Sequence, residues 1–148
     1  MIIGVPKEIK NSEFRVGLTP KSVAEITSKG HEVFVENNSG LEIGYTNKNY
    51  ENSGAKIINS AEEVYRSSEL IVKVKEPIVS EFKFLSKDTT LFTYLHLAGN
   101  KEQSLKLAET GVNVIDYETV TSSVSYTNLT LPTKRIVYIS VYAVSLKK

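Results

Sequence analysis

Three side chains that can bind an anion or transfer a proton follow predicted strands of this chain. Arg15 lies in a loop after the first apolar run, Lys75 ends LIVKVK, and His96 follows TLFTYL. Guanidinium and ammonium groups bind carboxylates, and the guanidinium does so with two parallel hydrogen bonds. Imidazole has an ordinary pKa of about 6.5 and exchanges protons near neutral pH. These residue types predict a small cationic pocket for a carboxylate-bearing substrate, with one acid/base group.

Each of these residues also has a purely structural interpretation. Arg15 could be a solvated loop arginine, and a single histidine is usually structural. Lys73 and Lys75 are two residues apart, which places them on one face of a strand. Lysines on an otherwise apolar strand are typical of an exposed sheet edge, whereas the alternative puts Lys75 in a ligand crevice. Tyr94 and His96 share a face in the same way.

Composition excludes several other chemistries. The 148 residues contain no cysteine, which excludes a disulfide scaffold, a thiolate metal site and a cysteine nucleophile. The two histidines, His31 and His96, are too few for a conventional histidine metal site, so we predict no metal. No glycine-rich phosphate loop, zinc motif or nucleophile elbow is present.

The chain shows no targeting or membrane signal. No apolar run approaches the roughly 18–20 residues that a membrane helix needs, and the first ten residues lack a signal-peptide pattern. We therefore predict a cytoplasmic protein that acts on a small molecule, with neither a membrane nor a nucleic acid as partner.

The elements that must position these residues alternate along the first 118 residues. Thr19 is a predicted helix N-cap before Pro20, and Ser60 with Glu63 has the spacing of a capping box. Strands are predicted at 2–5, 32–36, 56–58, 70–75, 90–95 and 112–117, and helices at 20–29, 46–54, 60–67, 79–85 and 100–110. Strands that alternate with helices predict an α/β, Rossmann-like or flavodoxin-like domain, with a mostly parallel sheet covered by helices on both faces. Such sheets bind ligands at the carboxyl ends of their strands.

The end of the chain differs from this pattern. From Thr119 onward there are four basic and no acidic residues, so the last 30 residues carry a net charge of +4. The other 14 basic and 17 acidic residues give the first 118 residues a net charge of −3. A polar stretch rich in serine and threonine is followed there by the uncharged run IVYISVYAV. The shift in charge indicates that the chain is not homogeneous.

Four motifs carry a resemblance to a known family. MIIGVPKEIKNSEFRVGLTP at the start, then VKVKEP, LFTYLHLA and YETV in that order, resemble alanine dehydrogenases over about residues 1–121. The resemblance implies NAD-dependent interconversion of L-alanine with pyruvate and ammonia. It also implies that Arg15 and Lys75 hold the substrate carboxylate, that Lys75 polarises the carbonyl oxygen, and that His96 is the acid/base. Tyr94 is implied as a pocket wall.

Two alternative functions remain open at this stage. The N-terminal part of the pyridine nucleotide transhydrogenase alpha subunit resembles this chain up to Val74, but has no histidine in the stretch that matches Leu95-His96-Leu97. A natural stand-alone module that binds small carboxylates is the other alternative. The intact YLHLA favours alanine dehydrogenase over the transhydrogenase.

The tail departs from the family. Nothing in residues 122–148 matches the linker helix and the glycine-rich NAD-binding turn that should follow, and VSYTNLTLPTKRIV resembles translated sequencing-adapter DNA. We expect residues 1–121 to be the N-terminal substrate-binding part and 122–148 an unmatched, non-native tail. The NAD-binding Rossmann domain is expected to be absent, so the chain is predicted to be inactive alone. The full-length family is expected to form hexamers.

Overall fold

Short apolar strands alternate with helices in the computed structural model, which describes residues 1–96, 99 and 101–120. The last three strands each follow a helix or a 3₁₀ turn, as expected for βαβ units. The strands and helices are β1 Ile2–Val5, α1 Pro20–Ser28, β2 Glu32–Glu36, α2 Asn47–Asn52, β3 Lys56–Ile58, α3 Ala61–Ser67, β4 Leu70–Val72, β5 Thr90–Thr93, α4 Lys101–Glu109 and β6 Asn113–Asp116. Short 3₁₀ helices lie at Leu41–Ile43, Val79–Phe84 and Tyr117–Thr119.

The six strands form one sheet in the order β3-β2-β1-β4-β5-β6, and every neighbouring pair is parallel. Ile3 of β1 lies opposite Val33 of β2 and Leu70 of β4. This is the doubly wound strand order of Rossmann-type sheets rather than the flavodoxin-like order. The chain fills the sheet outward in one direction from β1 to β3 and then in the other from β4 to β6, so the strand order reverses between β1 and β4. The predicted α/β class and mostly parallel sheet are therefore confirmed.

Helices cover both faces of the sheet. One buried cluster joins Val23 of α1 and Tyr50 of α2 to Val35 of β2, and the other joins Val64 of α3 and Leu107 of α4 to β4 and β5. Adjacent residues of β4 belong to different clusters, because successive strand side chains point to opposite faces. Two cores, one on each face, hold the sheet.

The helix starts follow the cap residues that the sequence provides. The Thr19 hydroxyl accepts a hydrogen bond from the Ser22 amide at 3.2 Å, and Pro20 is the first helical residue. Ser60 accepts from the Glu63 amide at 3.3 Å at the start of α3. Each contact satisfies an amide that would otherwise lack a partner in the first turn.

Several predicted boundaries are wrong at the carboxyl ends of strands. β4 ends at Val72 rather than residue 75, and β5 ends at Thr93 rather than residue 95. The short helix predicted at 79–85 is present at Val79–Phe84, as a 3₁₀ helix. The edge-strand interpretation of Lys73 and Lys75 is also wrong, because β4 lies between β1 and β5 inside the sheet.

The predicted tail and the last two residues of LHLA lie outside the described residues. Within the part of the chain that is described, no helix is long and apolar enough to cross a membrane.

Candidate active site

Arg15, Lys75 and His96 lie at the same edge of the sheet because they follow three adjacent strands. Arg15 lies in the loop after β1, Lys75 follows β4 and His96 follows β5, and these strands are neighbours in the parallel sheet. The Arg15 loop lies directly against the end of β4, since a Cβ atom added at Gly17 would stand 2.3 Å from the Val72 carbonyl oxygen. The carboxyl edge of the sheet therefore brings together the three residues chosen from the sequence.

A carboxylate two residues away holds the Arg15 side chain. Nε of Arg15 donates to Oε1 of Glu13 at 2.8 Å, Nη2 donates to Oε2 at 2.6 Å, and the Arg15 backbone amide donates to Oε1 at 3.0 Å. These hydrogen bonds from Arg15, with a smaller contribution from the nearby Lys75 ammonium, lower the pKa of Glu13 to about 2. Glu13 is therefore ionised at neutral pH. No pattern in the sequence indicated that it would pair with Arg15.

Lys75 supplies a second positive charge at this edge. Its side chain is half-buried in the segment that leaves β4, and it is close enough to Glu13 to influence the pKa of that carboxyl group. Within residues 1–96, 99 and 101–120, no hydrogen bond or ion pair engages its ammonium. The neighbouring Glu76 instead pairs with Lys10. An anion at this edge would meet an ammonium that is not already neutralised by direct contact.

A column of stacked aromatic rings leads from the core to His96. The Phe92 and Tyr117 ring centroids are 3.9 Å apart, those of Tyr117 and Tyr94 are 4.7 Å apart, and those of Tyr94 and His96 are 6.5 Å apart. Burial raises the pKa of Tyr117 to about 12, so this phenol is neutral. The Tyr94 ring is exposed at the site and fixed from behind by Tyr117. It is therefore placed to form a wall of the site.

His96 adopts a left-handed backbone conformation with φ of 46°. Its carbonyl accepts a hydrogen bond from the Gly99 amide at 2.9 Å, and its Nδ1 lies 3.7 Å from Oε1 of Glu118. The side chain is exposed and borders a small pocket that Pro77 and Leu107 help to line. A left-handed non-glycine residue costs about 1–2 kcal/mol, and such strain concentrates at functional sites.

The strained backbone at position 96 lowers the stability of the fold, although the imidazole there is the candidate acid/base group. We expect His96→Gly to be more stable than His96→Ala by about 1 kcal/mol, because glycine adopts positive φ without a Cβ penalty. Both variants lose the same imidazole contacts, so their difference isolates the backbone. Denaturant unfolding of the chain measures it. His31 does not have a positive φ, so His31→Gly should be less stable than His31→Ala. An equal or reversed order at position 96 would show that the left-handed conformation carries no strain.

A buried ionic cluster, which the sequence reasoning missed, lies beneath the site at the point where the strand order reverses. Nζ of Lys73 is 2.8 Å from Oε1 of Glu81 and 3.4 Å from Oε2 of Glu8, and all three side chains are at least 95% buried. The Tyr65 hydroxyl donates to Oε1 of Glu81 at 2.9 Å. Burial raises the pKa of Glu8, although Lys73 and backbone amides oppose the shift. In the sequence, the one feature that pointed to this cluster was a lysine placed directly after an apolar strand.

The buried cluster also fixes the segment that carries Lys75. Oε1 of Glu8 accepts a hydrogen bond from the Val74 amide at 2.7 Å, one residue before Lys75. The Val74 carbonyl in turn accepts from the Tyr94 amide at 3.2 Å. Thus the exits of β1, β4 and β5 are joined to each other immediately below the site.

The described residues do not fit a dinucleotide at the reversal point. Close approach of a pyrophosphate requires a glycine-rich turn after β1 that leads straight into a helix. Here Pro6-Lys7-Glu8 follows β1, the Glu8 carboxylate is buried with Lys73, and α1 begins only at Pro20. A nicotinamide cofactor would need residues beyond those described. Among the described residues, no group of three or more histidine or acidic side chains could hold a metal ion.

The sequence also matches a known family. Residues 4–131 match the N-terminal domain of alanine dehydrogenase/PNT. The chain belongs to this family. The resemblance to alanine dehydrogenases drawn from the four motifs is thereby confirmed. The family match extends past residue 121, and the boundary of the native part stays a prediction.

Individual relatives cover the same part of this family member. The alanine dehydrogenase of Bacillus subtilis (strain 168) is 50% identical over 120 residues, which are 81% of this chain and 32% of the relative. That of Mycolicibacterium smegmatis is 45% identical over the same coverage. An L-alanine dehydrogenase structure superimposes with a TM-score of 0.79 at 47% identity, covering 83% of this chain and 34% of that one. The structure of a transhydrogenase from Sinorhizobium meliloti superimposes with a TM-score of 0.75 at 26% identity, covering 82% of this chain and 34% of that one. The chain therefore spans about a third of the length of the curated relatives it matches.

Proposed function

We propose that this chain is the substrate-binding part of an NAD-dependent L-alanine dehydrogenase, which converts L-alanine to pyruvate and ammonia. The observation that carries the proposal is the convergence of Arg15, Lys75 and His96 at three adjacent strand exits. Two cations and one imidazole at a single sheet edge suit a small carboxylate whose neighbouring carbon undergoes addition and elimination. The relatives that share this segment are named alanine dehydrogenases.

The chemistry assigned to these residues follows from charge. Arg15 and Lys75 bind the substrate carboxylate, and Lys75 also polarises the carbonyl oxygen of pyruvate. Water adds to the imine to form a carbinolamine, and positive groups stabilise the oxyanion of that carbinolamine as its C–O bond becomes the carbonyl and ammonia departs. His96 takes a proton from the attacking water and returns one to the departing ammonia, a task that suits an imidazole. Tyr94 bounds the site on one side.

The oxidation half of the reaction is not assigned to the described residues, because they do not fit a dinucleotide. We therefore propose that NAD binds elsewhere in the whole enzyme and that this chain alone does not oxidise L-alanine. Purified chain supplied with L-alanine and NAD at alkaline pH should form no NADH. A chimera that carries residues 1–120 in place of the matching segment of the Bacillus subtilis relative should form it. Turnover by the chain alone, lost on His96→Ala, would contradict the proposal.

The transhydrogenase alternative is weaker because that structure is 26% identical, against 47% for the L-alanine dehydrogenase structure. A stand-alone module that binds small carboxylates would bind pyruvate but would not support turnover in the chimera. Pyruvate binding by the chain, combined with an inactive chimera, would favour the module.

Substitution of Arg15 should weaken carboxylate binding more than it slows chemistry. We expect Arg15→Ala to raise the KM of the chimera for L-alanine by about 10–100-fold, since a charge-assisted hydrogen bond contributes about 1.5–3 kcal/mol. Steady-state kinetics measure KM and kcat separately. Arg66→Ala removes another exposed arginine, which pairs with Glu62 at 3.0 Å on α3, and should leave KM unchanged. An unchanged KM in Arg15→Ala would remove Arg15 from the substrate site.

A further inference from the structure

We infer that Glu13 is a positioning residue, which holds the Arg15 guanidinium by one edge and leaves its opposite edge for the substrate carboxylate. The inference rests on the proposed function, because it extends the carboxylate-binding role given to Arg15. It adds a residue that sequence reasoning did not select. Glu13 itself contacts no substrate in this arrangement and acts only through Arg15.

The hydrogen-bond pattern shows which guanidinium donors are in use. Glu13 accepts from Nε at 2.8 Å and from Nη2 at 2.6 Å, so it occupies the side of the planar group nearest the chain. A guanidinium has five N–H groups, and bidentate binding uses two of them. The end formed by Nη1 and the second Nη2 hydrogen has no hydrogen-bond partner among the described residues. A second carboxylate can therefore bind in the same plane without displacing Glu13.

The solvent exposure of Glu13 and of Arg15 agrees with a positioning role for Glu13. The Glu13 side chain is 8% exposed, whereas the Arg15 side chain is 61% exposed. The carboxylate is thus shielded from solvent, whereas the cation that pairs with it faces outward. A carboxylate that occupied the substrate position would have to lie in front of Arg15, where the solvent-exposed surface is.

The backbone around Glu13 is itself constrained. Ser12 has a φ of 61°, and the Glu13 amide donates to the Lys10 carbonyl at 3.1 Å, which closes a tight turn just before Glu13. On the other side of Arg15, Gly17 packs against the Val72 carbonyl at the end of β4. The anchor that holds the guanidinium is therefore fixed relative to the strand exit that carries Lys75.

Positioning has a measurable consequence for ligand binding. A free arginine side chain has many rotamers, and restricting them before binding improves a dissociation constant by roughly tenfold or more. Loss of the Glu13 charge also removes a negative group from the site, which by itself would tighten anion binding. The two effects have opposite signs, so an experiment can separate them.

The test measures pyruvate binding to the full 148-residue chain by calorimetry, with thermal unfolding recorded for every variant. Glu13→Gln keeps the size of the side chain and removes one acceptor, so we expect roughly tenfold weaker binding. Arg15→Lys keeps the positive charge without the planar fork. In that background Glu13→Gln should cause no further weakening, because nothing remains to be oriented. Glu62→Gln breaks the Glu62–Arg66 pair on α3 and should leave binding unchanged.

Four outcomes would overturn the inference. Unchanged or tighter binding by Glu13→Gln would make Glu13 a bystander or a competitor of the substrate. Equal weakening with and without Arg15→Lys would show that Glu13 acts through the fold in general, as would weakening by Glu62→Gln. A wild-type chain that binds no pyruvate would refute the proposed carboxylate site together with this inference, a pattern distinct from the other three.

Discussion

Replacement of His96 with alanine is expected to reduce turnover of L-alanine by about 100-fold or more in the chimera with the Bacillus subtilis relative. General acid/base catalysis by a positioned side chain contributes about 10²–10⁴-fold, and no other described residue at this edge replaces the imidazole. Glu118, at 3.7 Å from Nδ1, and the stacked Tyr94 ring orient the group but do not replace it. The loss should fall on kcat, with substrate affinity little changed.

His31 provides the matched control for this experiment. It precedes β2, at the amino end of a strand, and is therefore remote from the edge that carries Arg15 and Lys75. His31→Ala should retain the turnover of the parent chimera. Near-normal kcat in His96→Ala, with the variant folded, would refute the acid/base assignment. A parallel loss in both variants would attribute the effect to folding.

Replacement of the buried Lys73 with methionine is expected to lower the free energy of unfolding of the chain by about 3–5 kcal/mol. The variant leaves Glu8 and Glu81 buried without the ammonium that lies 3.4 Å from one and 2.8 Å from the other. Removal of one partner from a buried ionic group costs more than removal of the whole group, because the remaining charge is uncompensated. Since small domains have total stabilities of about 5–15 kcal/mol, this loss is a large fraction of the total, and denaturant unfolding should show a clearly lower midpoint.

Three controls separate this effect from simple loss of packing. Lys75→Met alters a half-buried lysine on the same segment and should change stability by less than about 1 kcal/mol. Adding Glu8→Gln and Glu81→Gln to Lys73→Met should restore most of the loss, because no buried charge then remains. The pKa of Glu8 is already raised by burial, so its contribution to stability is full at low pH and is lost as pH rises. The deficit of Lys73→Met should therefore shrink on acidification, and a pH-independent deficit would contradict the ionic explanation.

Much of the fold follows from local sequence. Cap residues such as Thr19 and Ser60 predict the helix starts, since the amides they satisfy lie within three residues along the chain. The alternation of apolar runs with helical patterns predicts the parallel sheet, and that sheet type predicts where a ligand site lies. The residues chosen from strand exits, Arg15, Lys75 and His96, indeed share one edge.

Tertiary structure alone decided what each charged group does at that edge. Lys73 and Lys75 look equivalent in the sequence, yet one is buried with Glu8 and Glu81 and the other is half-exposed beside Glu13. β4 is an interior strand because it pairs with β1 on one side and β5 on the other, and both partners lie far from it in the sequence. The cost of burying a charge depends on partners brought together by folding, so no local pattern can reveal it. Sequence thus determined which residue types reach this edge of the sheet, whereas packing decided which of them pair inside the protein and which face outward.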